Sequence, residues 1–187
     1  VSNTFKAIFE RHDTDKVNNG NYQDGYEASF SSIRHDVKLL FEIGVNRGGS
    51  VRAFAEYFPN AVIVGLEIAS KYRFDDERIK IEIGDATKPD FINALVEKYG
   101  RPDIVIDDGS HFSRDIRASF RLLYPHVKHC YVIEDYGTQF YDYEKGFYIN
   151  DGTPATSIIH GKINELLSRK GDCRSIHIYN SIGFIFK

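Results

Sequence analysis

Several things are scarce in this chain, and each scarcity closes a class. Only two cysteines, Cys130 and Cys173, occur in 187 residues, far apart and in no metal-type spacing. A disulfide framework and a cysteine-bound zinc site are therefore not expected, and both read as free thiols of a reducing compartment. No apolar run approaches the roughly 20 residues that a membrane span requires. The opening stretch "VSNTFKAIFERHD" has no long apolar core, so no secretion signal is expected and the compartment reads as the cytoplasm. Neither sign of charge is in large excess. The 24 basic and 27 acidic residues leave a formal charge of −3, without the basic face that a large nucleic-acid footprint needs. Internal repeats, low-complexity tracts and linkers are also missing. What remains is 42% hydrophobic and 27% charged, the balance of one folded globular domain. Residues 1–36 read as a helical N-terminal extension and residues 37–187 as the ligand-binding core.

The apolar pattern changes character along the chain. Phe5, Ile8 and Phe9 fall on one helical face, as do Tyr26, Phe30 and Ile33, with the polar turn "DTDKVNNGN" between the two segments. From residue 37 onward, "VKLLFEI", "AVIVGLEI", "IKIEI", "DIVID" and "CYVIE" are short, nearly continuous apolar runs. Such runs suit parallel strands buried on both faces. Segments with helical spacing alternate with them, carrying Val51, Phe54 and Phe58, then Phe91, Leu95 and Tyr99, then Ile116, Phe120 and Leu123. This alternation predicts an α/β, doubly wound, mostly parallel sheet. One more helix, with Ile159, Ile163, Leu166 and Leu167, precedes "SIHIYN" and "GFIFK". Those two runs predict an antiparallel hairpin at the edge of the sheet.

The first strand runs into "FEIGVNRGGSV", a glycine turn that lets a ligand approach the backbone at the carboxyl end of a sheet. Its glycines are Gly44, Gly48 and Gly49, and Asn46 stands where a dinucleotide fold needs its second glycine to admit a pyrophosphate. A ligand without phosphates does not need that gap. Glu67 ends the second strand, where an acid can accept hydrogen bonds from both hydroxyls of a ribose. Asp85 ends the third, placed to meet an adenine amino group. The same acids could serve only as helix caps, but the turn and two acids at successive strand ends favour S-adenosylmethionine over NAD. Glu42 and Ser50, on either side of the turn, join Gly44, Gly48, Glu67 and Asp85 in the expected cofactor-binding set.

Strand side chains alternate, so Asp107 and Asp108 of "IDDGSH" should face opposite sides of the sheet. One, Asp107, should face the cofactor, and the other the substrate side. The next strand ends in Glu134 and Asp135. Carboxylates gathered at one edge repel each other unless a cation neutralises them, and all-oxygen ligation favours Mg²⁺, with Mn²⁺ or Ca²⁺ also suitable.

With these motifs in view, the chain resembles class I S-adenosylmethionine-dependent methyltransferases. More narrowly, it resembles the metal-dependent sugar O-methyltransferases typified by the macrocin, mycinamicin and rhamnosyl enzymes. The resemblance runs from "DTDK" through "FEIGVNRGGSV" and "IDDGSH" to "YVIEDYGTQFY". It implies metal ligation by Asp108, Glu134 and Asp135, and general-base action by His111. Histidine's ordinary charge change near neutral pH suits that role, although a lone histidine more often packs a loop. The acceptor is then a sugar hydroxyl of a glycoconjugate, polysaccharide or natural product, with a vicinal diol well made to chelate the metal. A catechol-like phenol chelates in the same way and stays open as an acceptor. An NAD-linked oxidoreductase and a non-catalytic binding module are the rival classes.

"DYGTQFYDYEKGFYINDGTPAT" has no helical or strand period and is rich in aromatics. It reads equally as a lid over a sugar and as a tyrosine-rich interface of a homo-oligomer. "DTDK", residues 13–16, either closes the site from the other side, with Lys16 near the acids, or is a solvated turn.

Overall fold

The computed structural model describes residues 2–17, 22–69, 74–137 and 153–187. The aromatic stretch after Gly137 therefore lies almost wholly outside the described residues. The five apolar runs become parallel strands: β1 (Leu39–Ile43), β2 (Val62–Glu67), β3 (Ile79–Ile83), β4 (Ile104–Asp107) and β5 (Cys130–Glu134). The expected hairpin is β6 (Ser175–Tyr179) and β7 (Ile182–Phe186). Among the described residues these form one sheet in the order β3-β2-β1-β4-β5-β7-β6. Only the pairings of β7 are antiparallel, with β5 on one side and with the edge strand β6 on the other.

Helices cover both faces. On one side α1 (Phe5–Arg11), α2 (Tyr22–Phe30) and α3 (Gly49–Tyr57) share an apolar core with Leu40, Ile106 and Val132 of the strands. On the other, α4 (Pro89–Tyr99), α5 (Ser113–Leu123) and α6 (Ser157–Ser168) pack on Phe41, Val105 and Tyr131. The residues of β1, β4 and β5 thus alternate between two dry layers, which is why these runs are apolar throughout.

The first two helices are fully part of this packing. Phe5, Phe9, Tyr26 and Phe30 are completely buried. The Phe5 ring stacks on Tyr57 at 3.5 Å between centroids, and the Tyr26 ring lies 5.5 Å from that of Phe54. A backbone-to-side-chain bond joins the two helices, the Phe5 N–H donating to Glu27 at 2.8 Å. No helix among the described residues is long and apolar enough to cross a membrane. Cys130 and Cys173 are both free, the first fully buried in β5.

Candidate active site

The carboxyl ends of β1, β4 and β5 lie side by side, and each carries acid. Glycine makes their junction tight. Gly44 follows β1 with φ +87°, and a Cβ there would collide with the carbonyl oxygen of Asp108. Gly49 opens α3 under the backbone of His12 and Asp13, where a Cβ would come within 2.8 Å of the His12 oxygen. The glycine turn therefore lets two loops close over it, one from β4 and one from the N-terminal segment.

A cavity of about 790 Å³ opens above this junction. Of the residues expected to bind cofactor, Gly44, Ser50, Glu67, Asp85 and Asp107 line it. Asp108, His111 and Asp135 line it too. Gly48 does not; it caps α3 in the left-handed conformation, with φ +78°. Glu42 does not reach the cavity either and is entirely buried.

Each acid has a distinct environment. Glu67 accepts hydrogen bonds from the backbone N–H groups of Val45 at 3.0 Å, Asn46 at 3.3 Å and Ile68 at 2.8 Å, and so braces the glycine turn. Asp85 accepts from the N–H and hydroxyl of Thr87, which hold its carboxyl below the usual range. Asp107 and Asp108 do face opposite sides. Asp107 points to the α5 layer and accepts from Ser119 and from the Tyr131 hydroxyl at 3.0 Å. Burial pushes its carboxyl up to about 6.

Asp108, Glu134 and Glu42 turn toward the N-terminal helices, where Lys16 meets them. The Lys16 ammonium lies 2.6 Å from Asp108 Oδ2, 2.8 Å from each oxygen of Glu134 and 3.8 Å from Glu42. Its side chain is only 1% exposed. Burial alone would lower the lysine's pKa, but Asp108, Glu134 and Glu42 outweigh it and hold the ammonium well above its ordinary value. Burial raises all three acids against that charge, Glu42 and Glu134 to about 8. Neither Glu42 oxygen has a hydrogen-bond partner among the described residues; Ser50 is near enough to bias its charge but not in bonding geometry. One ammonium among three carboxylates leaves an excess of negative charge in a dry place, which costs free energy unless a proton or a further cation relieves it.

Two tyrosines one helical turn apart on α2 complete the arrangement. Tyr26 donates its hydroxyl to Glu134, and Tyr22 donates to Asp135 at 2.7 Å. Asp135 and His111 both hold left-handed backbone, φ +52° and +59°, unusual for side chains of their kind. Asp108, His111 and Asp135 each offer a donor atom, and these atoms lie within 4.8 Å of one another. Glu134 is not in that trio; its oxygens accept from Lys16 and Tyr26. His111 Nε2 stands 4.0 Å from Asp135, and its Nδ1 is buried with no hydrogen-bond partner among the described residues.

Sequence reasoning did not find Tyr22 and Tyr26 as polar donors, since helical spacing marks Tyr26 only as apolar. Of the two readings open for "DTDK", closing the site is the one the structure shows, with Asp13, Thr14 and Asp15 lining the cavity. Lys16 adjoins the acids and is not in a solvated turn.

Comparison with known proteins decides the relationship. No family model matches the chain. The mycinamicin VI 2''-O-methyltransferase of Micromonospora griseorubida is 38% identical over 125 residues, covering 62% of this chain and 31% of that protein. An 8-demethyl-8-alpha-L-rhamnosyl tetracenomycin-C 2'-O-methyltransferase of Streptomyces olivaceus is 29% identical over 199 aligned positions, covering 95% of this chain and 53% of that one. The structure of the MycE methyltransferase with Mg, SAH and mycinamycin VI superposes with a TM-score of 0.86 at 30% identity, over 97% of this chain and 54% of that chain. The chain is homologous to these sugar O-methyltransferases. Its seven-stranded, mostly parallel sheet with a C-terminal antiparallel pair is the methyltransferase fold that MycE shares. The match spans between about a third and a half of the length of these relatives.

Proposed function

We propose that this protein transfers a methyl group from S-adenosylmethionine to a sugar hydroxyl of a small glycosylated natural product, with Mg²⁺ as the metal. The observation that carries this reading is one cavity that joins the glycine-turn acids to a trio of metal-capable donors. A volume of about 790 Å³ suits a nucleoside-sized cofactor together with part of an acceptor. The cofactor fits the residues present: Glu67 and Asp85 stand at the ends of β2 and β3, and Gly44 admits close approach. A hard cation fits too, because Asp108 and Asp135 are oxygen donors beside an over-acidic cluster. We take Asp108, Glu134 and Asp135 as the metal's carboxylate ligands, with Glu134 shared with Lys16. The cation supplies charge that makes a sugar hydroxyl easier to deprotonate, and the cofactor supplies an electrophilic methyl group.

The chain's own residues do the rest. His111 takes the hydroxyl proton on a ring nitrogen. Tyr22 keeps the Asp135 carboxylate oriented beside it. Loops closing on the glycine turn hold donor and acceptor in line, and that positioning supplies much of the acceleration.

The test uses radiolabelled S-adenosylmethionine and a panel of glycosylated macrolides. Label should move to the acceptor with Mg²⁺, stop with EDTA and return when Mg²⁺ is restored. His111→Ala should keep cofactor affinity and lose roughly 10²–10⁴-fold in turnover. Tight binding of NAD in calorimetry, with no binding of S-adenosylhomocysteine, would sink the reading. Label transferred only to catechols would replace the sugar with a phenol.

A further inference from the structure

The N-terminal segment brings a positive charge into the centre of the acidic site. Lys16 sits in a single 3₁₀ turn, Asp15–Val17, between α1 and α2, and its side chain reaches 92 residues forward to Asp108 and 118 to Glu134. The contacts are direct, at 2.6 and 2.8 Å; Lys16 and Glu134 are almost wholly buried, while Asp108 opens onto the cavity. The Tyr26 hydroxyl adds a further donor to Glu134 from the same segment. On the metal-dependent reading, two of the three proposed carboxylate ligands thus already share one positive charge supplied by the chain itself.

We propose that Lys16 is a built-in competitor of the divalent cation: its ammonium holds Asp108 and Glu134, so any metal binds those carboxylates against a fixed positive charge. This rests on the metal-dependent reading above. A charge a few ångströms from the ion opposes binding strongly where water is excluded. Lys16 also makes the affinity adjustable. It keeps the carboxylates ordered while preventing the cluster from becoming a tight, unselective trap for divalent ions. The turn that carries it places Asp13, Thr14 and Asp15 along the cavity wall, so metal affinity and cavity shape depend on one short loop. Lys16 acts through the acids it holds and is a positioning residue.

Mn²⁺ titration of the whole chain, followed by calorimetry, tests the idea without methyl transfer. Lys16→Met should bind Mn²⁺ at least about tenfold more tightly than the wild type. Lys16→Arg, which keeps the charge, should stay within about threefold. A residue that only supports the fold would lower the melting temperature and weaken the metal, never tighten it. Should Lys16→Met fail to fold, Lys16→Met combined with Glu42→Gln rebalances the buried charge, and is compared with Glu42→Gln alone for the same tenfold gain. Unchanged or weaker Mn²⁺ binding in the charge-removing variants, with normal binding in the wild type, overturns this proposal and spares the metal-dependent reading. Absence of Mn²⁺ binding in every protein overturns both.

Discussion

Asp107 and Asp108 are adjacent in the chain but belong to different halves of the molecule, one held by Ser119 and Tyr131 and the other by Lys16. That split follows from strand alternation alone, so it was legible. Lys16 was legible only as one of two alternatives, and Ser119 and Tyr131 were not, because each lies in a segment whose own pattern reads as apolar. His129 shows the same thing in a titratable group. It precedes β5, half-buried, with its ring 5.6 Å from that of Phe186. Burial holds its imidazole below the ordinary value, with Asp103 opposing. The folded state therefore binds fewer protons than the unfolded one as pH falls through histidine's ordinary range near 6.5. Stability from this group is full above that range and is lost below it. Urea midpoints at pH 7.5 and 5.5 should show a larger acid-side loss in the wild type than in His129→Gln. Glu42 and Glu134, raised to about 8, slope the other way, but they do so in both proteins and cancel in the difference. Equal losses would mean that His129 titrates alike in both states.

Elements were the most legible level. "IKIEI" and "CYVIE" match β3 and β5 residue for residue, and the other strands differ by one or two residues at their ends. Buried parallel strands announce themselves because both faces must be apolar. The turns between them are less readable, since their shape depends on what closes over them. Gly44 and Gly100 illustrate this, with φ +87° and +88°. A Cβ at Gly100 would meet nothing within 4 Å, whereas at Gly44 it would strike the Asp108 backbone. Gly100→Ala should cost about 1–3 kcal/mol, the strain of a glycine-only conformation. Gly44→Ala should cost at least about 2 kcal/mol more, and also abolish S-adenosylhomocysteine binding. Denaturant titration and calorimetry on the pair separate backbone strain from the collision. Equal costs would show that β1 and β4 do not need their close approach.

On the scale of the whole molecule, the N-terminal segment is where sequence and structure part most. Its two helices read as an extension because their apolar faces say only that they pack on something. What they pack on is the core itself, with Phe5, Phe9, Tyr26 and Phe30 fully buried beside Phe54 and Phe58. Each such side chain contributes about 1.5–3 kcal/mol by leaving water. Lys16 adds a further penalty if it is removed, since Glu134 would keep its burial and lose its counter-charge. Four aromatics together are worth roughly 6–12 kcal/mol, comparable with the entire stability of a domain, about 5–15 kcal/mol. A chain lacking residues 1–36 should therefore show no cooperative thermal transition and no protected core amides in hydrogen exchange. The full chain should unfold in one step, with the amides of α1 and α2 exchanging at the same free energy as those of β1 and β4. If the truncated chain melts cooperatively, or if α1 and α2 open well below the sheet, the segment is an attached extension and Lys16 is held by a detachable arm.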